Sequence, residues 1–196
     1  EHGSNELAHY AKEAWDIEYE FPFGWSEIEG IHNRTDYDLS RHEEFSGKNL
    51  SYFDQPSNVR YLPYIIETSA GLNRMLLTVL ADAYWEDDEN NRTVMKISPR
   101  LAPVKAVICP LLKKDGLPEK AREIVDILKP HFKVLYDQQG SIGKRYYRQD
   151  EAGTPFCITV DHQSIEDNTV TLRDRDSMKQ DRISIERILN AIQDSF

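Results

Sequence analysis

The chain has 196 residues, 39% of them hydrophobic and 30% charged, with a formal net charge of −10. No apolar run approaches the roughly 18 residues of a membrane-spanning helix, and the first residues have neither the basic nor the apolar region of a secretory signal. The acidic balance excludes a protein that grips nucleic acid through one broad basic field, although a local basic patch remains open.

The charge is unevenly spread: residues 1–100 carry 9 Lys+Arg and 19 Asp+Glu, and residues 101–196 carry 15 of each. The first residue is not Met, and the chain opens as though cut from something longer. The two cysteines, Cys109 and Cys157, sit in apolar, strand-like runs far from any Cys/His cluster. They read as buried free thiols of a reducing compartment. The scattered histidines predict no structural zinc.

In chain order, "AWDIEYEFPFGWSEIEGI" alternates apolar with acidic residues and is interrupted at Pro22 and Gly24, which predicts two strands around a bend or bulge. "NRTDYDLSRHEEFSG" predicts a turn and a short helix, and "VRYLPYIIET" one strand. From Leu72 the apolar residues Leu72, Leu76, Val79, Leu80 and Ala83 follow helical spacing. "WEDDENNRTV" has hairpin character, and the two prolines of "KISPRLAP" place a domain boundary near 98–102, giving domains 1–100 and 101–196.

The second half alternates. "KAVICPLL" is a buried strand, "GLPEKAREIVDILKPHF" a helix with Pro118 in its first turn, and "KVLYDQQ" a strand. "SIGKRYYRQDEAG" is a short basic-aromatic helix ending near Gly153. "PFCITVD" and "NTVTLRDRD" are strands, and "RISIERILNAIQ" runs from strand to helix. The alternation predicts an α/β core with parallel strands, helices on its faces and antiparallel strands near one edge.

Three stretches carry candidate chemistry. In "ETSAGLNR", Glu67 and Ser69 are two apart on a strand and face one side. Gly71 lets a ligand approach the backbone at a helix N-terminus, and Arg74, one turn in, suits an anion such as phosphate. The bland alternative is a capped helix with a surface ion pair between Glu67 and Arg74. In "FGWSEIEGIHNRTD", Glu27 and Glu29 would share one strand face as a cation site, a metal site or a merely solvated face, with Trp25 as ligand floor or core anchor. Arg34 with Asp36 and Asp38 is a buried polar network or a surface turn. In "GSIGKRYYRQDEAG", Lys144, Arg145 and Arg148 interleave with Tyr146 and Tyr147, the ingredients for stacking and gripping single-stranded bases. Arg173 and Arg175 of "TLRDRDSMKQDR" share a strand face, either base-reading or a solvated edge.

Together these blocks resemble the homodimeric type of glycyl-tRNA synthetase, a class II family. "ETSAGLNR" with its apolar helix is similar to the third class II motif, and "FPFGWSEIEGIHNRTDYDL" to the strand upstream of it. "LAPVKAVICPLLKKDGLPEKAREI", "GSIGKRYYRQDEAGTPFCITVD" and "DNTVTLRDRDSMKQDR" resemble the anticodon-binding domain shared by the glycyl, threonyl, prolyl and histidyl enzymes.

The resemblance implies the end of a class II antiparallel catalytic sheet with its motif 3 helix over 1–100, and a mixed-sheet α/β anticodon-binding domain over 101–196. It implies glycine binding by Glu27, Glu67, Thr68, Ser69, Ala70 and Gly71. It implies ATP binding by Glu27, Ile28, Gly71, Leu72, Asn73 and Arg74, with Arg74 and Glu67 in catalytic roles. ATP with Mg2+ would be a substrate, the metal reaching Glu67, with no prosthetic group. Lys144, Arg145, Arg148, Arg173 and Arg175 are the implied anticodon contacts. The implied partners are glycine, ATP, tRNA-Gly and a second copy in a cytoplasmic homodimer, with no membrane.

The first and second class II motifs have no candidate here, and the resemblance places both upstream. The stretch is therefore expected to be inactive alone, which ATP–pyrophosphate exchange on the purified chain tests. Its first half is expected to leave apolar surface or a sheet edge uncovered. The alternative is a non-catalytic nucleic-acid-binding or dimerisation protein on a synthetase-like fold. Glu27, Glu67, Ser69 and Arg74 are all present, which favours descent from an enzyme.

Overall fold

The computed structural model describes residues 2–3 and 7–195. The chain divides into two compact units, Glu1–Ala81 and Asp82–Phe196.

In the first unit, β1 (Glu13–Phe21) and β2 (Gly24–Asn33) form an antiparallel hairpin. Helix α1 (Tyr37–Ser46) follows and ends at Gly47. β3 (Tyr52–Asp54) and β4 (Val59–Tyr61) make a small separate hairpin. β5 (Ile66–Ala70) pairs antiparallel with β2, giving the sheet order β1-β2-β5, and leads into α2 (Leu72–Ala83). The single strand expected from "VRYLPYIIET" is thus two strands. Pro63 lies in the break between them and has no N–H to give a ladder. Uncovered apolar surface is present as expected: Leu72 is 83% exposed and Trp25 65%, with Leu76, Leu77, Trp15 and Ile17 also exposed.

The second unit opens with the hairpin β6 (Tyr84–Asp87) and β7 (Arg92–Met95). Then come β8 (Ala106–Pro110), α3 (Leu117–Leu128), β9 (Val134–Tyr136), α4 (Ile142–Ala152) and β10 (Phe156–Val160). α5 (His162–Asp167), β11 (Thr169–Asp174), β12 (Gln180–Ser184) and α6 (Ile188–Gln193) complete it. The five-stranded sheet runs β12-β11-β10-β8-β9, parallel from β10 through β8 to β9 and antiparallel from β10 to β12. Every residue of β8 and β10 is buried, as suits central strands covered on both faces. Leu117, Ala121, Ile124 and Leu128 recur at helical spacing on α3 and join Ile188 and Ile192 of α6 in the core on one face. Ile142 and Tyr146 of α4 pack on Val107, Cys109 and Cys157 of the other.

The compact boundary falls at Ala81/Asp82, earlier than the proline-marked boundary near 98–102. The reason is side-chain chemistry in β7. Arg92 is buried, and it donates to Asp87 at 2.7 Å, to Asp150 of α4 at 2.8 Å and to the Arg175 carbonyl at 2.8 Å. The β6–β7 hairpin is therefore bolted to α4 and to the end of β11. Gly153, the left-handed cap of α4 at φ +79°, fits because it lacks a Cβ, which would come within 2.9 Å of Ile97 Cδ1.

Candidate functional site

Three of the candidate amino-acid and nucleotide residues, Glu27, Glu67 and Ser69, gather on one face of the three-stranded sheet, and a β-bulge puts them there. Ile17 pairs with Glu29 and Glu18 with Glu27, so Ile28 is an extra residue on β2. Neighbouring residues of β1 point to opposite faces. Glu27 and Glu29, opposite Glu18 and Ile17, therefore face opposite ways, which corrects the shared face expected from their spacing. Across β5, Ser69 pairs with Gly30 and Glu67 with His32. Beyond the bulge, Gly30 and His32 lie on the Glu27 face. An added Cβ at Gly30 would meet His32 Cε1 at 2.9 Å and Glu27 Oε1 at 3.5 Å. Glu27, Glu67 and Ser69 thus share a face only because of the inserted Ile28, which no periodicity of two reveals.

Arg74 of α2 reaches β2, its Nη1 donating to the Glu27 carbonyl at 2.5 Å and to Ser26 Oγ at 3.1 Å. The ion pair between Glu67 and Arg74 does not form. Glu67 Oε2 instead accepts from Arg34 Nη1. Arg34 also makes a fork to Asp38, Nε to Oδ2 at 2.6 Å and Nη2 to Oδ1 at 2.9 Å, and lies 4.0 Å over the Tyr10 ring. The Asp38 carboxylate is the largest cause of a raised Arg34 pKa, and Arg34 in turn holds the Asp38 carboxyl below its ordinary range. Arg34 is thus part of the polar network left open by the sequence, with Asp38 as its partner.

Gly71 carries the first helical acceptor of α2, bonded by the Met75 N–H at 2.9 Å, and an added Cβ there would meet only Arg74 Cβ at 3.7 Å. Leu72 and Asn73 open the helix and are exposed. Thr68 and Ala70 are exposed on the opposite face of β5 from Glu67 and Ser69. Among the described residues, no three His, Cys, Asp or Glu side chains gather as a metal site.

The basic candidates of the second unit separate sharply. Arg173 is 3% exposed and doubly bonded to Asp150 at 2.8 and 2.9 Å. Arg175 is 1% exposed and donates to the Ile97 and Gly153 carbonyls at 2.9 Å. Arg145 is 3% exposed and donates to the Pro110 carbonyl at 2.7 Å and the Gly140 carbonyl at 3.2 Å. These three arginines hold the fold from within and leave no face for a nucleotide. Tyr146 is half-buried, bonded to Thr159 at 2.6 Å with the Arg173 guanidinium over its ring.

Lys144 and Arg148 are exposed on α4. Arg148 pairs with Asp137 at 2.6 Å. Burial raises the Asp137 carboxyl, and the Gln139 N–H with Arg148 more than offsets that, leaving it low. Tyr147 is exposed, but it lines a cavity of about 260 Å³ with Glu86, Asp88 and Glu151, an acidic setting. Both thiols are buried, and burial pushes Cys109 up to about 11 and Cys157 higher still. They are protonated and inert.

Residues 105–195 match a family model described as an anticodon binding domain. Over 98% of its length the chain is 57% identical to a glycine–tRNA ligase of Treponema denticola, and over 99% it is 53% identical to one of Clostridium tetani. It covers 45% and 42% of those proteins, less than half of each. Among solved structures it resembles a Giardia lamblia prolyl-tRNA synthetase in complex with prolyl-adenylate, with a TM-score of 0.66 at 22% identity. That match covers 95% of this chain and 39% of the other. At that identity the likeness is one of fold.

Proposed function

We propose that this chain, which belongs to the glycyl-tRNA synthetase family along the length it spans, supplies one wall of the glycine and ATP site and the anticodon-binding domain of a glycine–tRNA ligase. The observation that carries this reading is the shared sheet face of Glu27, Glu67 and Ser69, with Arg74 at the β2 end of the same wall.

In the first step a carboxylate oxygen of glycine attacks the α-phosphorus of ATP, the bond to pyrophosphate breaks, and glycyl-adenylate forms. In the second, a hydroxyl of the terminal tRNA ribose attacks the glycyl carbonyl carbon and AMP leaves. Neither step needs a covalent bond to the protein, so positioning and charge carry the work. Glu67 and Glu27 hold the α-ammonium, and Ser69 adds a hydrogen bond on the same face. Arg74 keeps Nη1 on β2 and turns the rest of its fork to phosphate oxygens. Magnesium travels with ATP on the phosphates. Glu67 is a poor ligand for it because a guanidinium already occupies one carboxylate oxygen. Glycine has no side chain to grip, so rejection of larger amino acids rests on crowding at the α-carbon.

Lys144 and Arg148 are the remaining candidates of the second unit for an anticodon stem-loop. The dimeric state and a cytoplasmic site of action belong to the same proposal. Among the described residues no helix is long and apolar enough to cross a membrane.

The test is glycine-dependent ATP–pyrophosphate exchange by an enzyme-length protein carrying this stretch. Glu67→Gln and Arg74→Ala should each slow exchange by about 10²- to 10³-fold, the usual cost of one charge-stabilising group. Unchanged exchange in both variants removes the catalytic reading. RNA binding without any exchange by the unaltered protein points to a non-catalytic relative.

A further inference from the structure

We propose that Arg34 is a positioning residue that sets Glu67 for the amino-acid ammonium, held in place by Asp38 below and Tyr10 beside it; this rests on the reading of Glu67 as a glycine ligand. Arg34 lies just after β2. Its N–H bonds the Ile65 carbonyl at 2.9 Å, and the Ile65 N–H bonds the Thr35 carbonyl at 2.8 Å, extending the β2–β5 pairing past both strands. That extension brings the guanidinium beside the start of β5, two residues from Glu67.

The turn that follows is unusual. Thr35 sits at φ +55°, a left-handed conformation that a β-branched residue adopts at a cost. Asn33 Oδ1 steadies it by accepting the Thr35 N–H at 3.1 Å. The turn starts α1 so that Asp38, in the first helical turn, meets the Arg34 fork with both oxygens. An arginine bound on two edges and backed by a ring has few rotamers left. It acts as a fixed template rather than a mobile surface charge.

The consequence for Glu67 is directional. Oε2 is taken by Arg34 while 36% of the side chain stays exposed, so the carboxylate presents its other edge outward on the Ser69 face. Local charge follows the same logic. Asp38 is neutralised by the fork, and Arg34 is shared with Glu67. The pair therefore offers one oriented acceptor suited to a monocation, not the open cage of oxygens a divalent ion takes. Spacing shows none of this, because Arg34 and Glu67 are 33 residues apart.

The test uses an enzyme-length protein carrying this stretch, with KM for glycine, KM for ATP, kcat and melting temperature read on each variant. Arg34→Lys keeps the charge but cannot bond Asp38 on two edges and Glu67 at once. It should raise the glycine KM about 10- to 100-fold while the ATP KM moves less than about two-fold. Tyr10→Leu, which removes the backing ring without touching either ion pair, should shift the glycine KM the same way by a smaller factor. A purely structural role would lower melting temperature and degrade both KM values together, and that pattern overturns the proposal. So does an unchanged glycine KM in both variants. Glu67→Gln run alongside separates the two layers. No rise in glycine KM there removes the ligand reading of Glu67 itself, whereas a rise there with none in Arg34→Lys overturns only the positioning role.

Discussion

The two units differ most in where their apolar residues go. Among the described residues only Ala14 and Phe21 of the first unit are buried hydrophobics, against nineteen in the second. The first unit instead shows seventeen large apolar side chains to solvent, the second nine. The second unit closes a sheet between helices on both faces and has a core of its own. The first presents a three-stranded sheet and two helices with little to cover them, and spends its order on polar pairs such as Arg34 with Asp38 and Glu67. The contrast is what the proposed function calls for, one part that folds for itself and another that is a wall completed by the rest of a larger enzyme.

The largest effect to look for is all-or-none. Expressed separately, residues 82–195 should unfold in one cooperative urea transition, and residues 1–81 should show no such transition or self-associate. A cooperative, monomeric 1–81 breaks the comparison. The piece 105–195, which matches the family model, should be distinctly less stable than 82–195 because it loses Arg92 from the buried network around Asp150.

A single side chain sharpens the same point. Asp150 is fully buried and accepts from Arg92 at 2.8 Å and from Arg173 at 2.8 and 2.9 Å. Asp150→Ala would strand two buried guanidiniums and should cost about 3–5 kcal/mol in the denaturation of 82–195. If the loss is under about 1 kcal/mol, the hairpin is not bolted on through this network. Gly153→Ala should cost less, about 1–3 kcal/mol, because it forces a Cβ onto Ile97 at a left-handed backbone position.

Much of this fold is legible in the sequence because it is local. The apolar spacing of α3, the unbroken apolar runs of β8 and β10, Pro118 and Gly153 each announce an element on their own. What the sequence hides is pairing across distance. The inserted Ile28 reverses the face of Glu27, and only the register with Glu18 reveals it. Arg145, beside Tyr146, and Arg173 and Arg175, alternating with acids on a strand, look like RNA contacts because such patterns read the same on a surface as in a core. Their partners are an acid of α4 and backbone carbonyls contributed by other segments of the chain. Arg92 is hidden for the same reason, because its partners Asp150 and the Arg175 carbonyl lie 58 and 83 residues away.

The smallest effect is an acid dependence that only the self-contained unit should show as clean cooperative unfolding. Asp161 caps α5 and meets Arg182 of β12 at 2.6 and 2.9 Å. The Arg182 hydrogen bond is the largest cause holding its carboxyl below the ordinary range, burial opposes it, and the Ser164 bonds assist. A carboxyl whose folded value lies below its unfolded value of about 3.9 contributes stability that is fully present above that value. The contribution disappears as pH falls through the folded value, because the unfolded chain takes up the proton first. Stability of 82–195 should therefore be flat from pH 7 to about 5 and fall below about pH 4. In Arg182→Ala that fall should be shallower, with a loss at neutral pH of about 1 kcal/mol or less, the range of a partly exposed pair. Equal acid slopes in the two proteins would place the sensitivity elsewhere, with Asp137 and its Arg148 partner the next pair to remove.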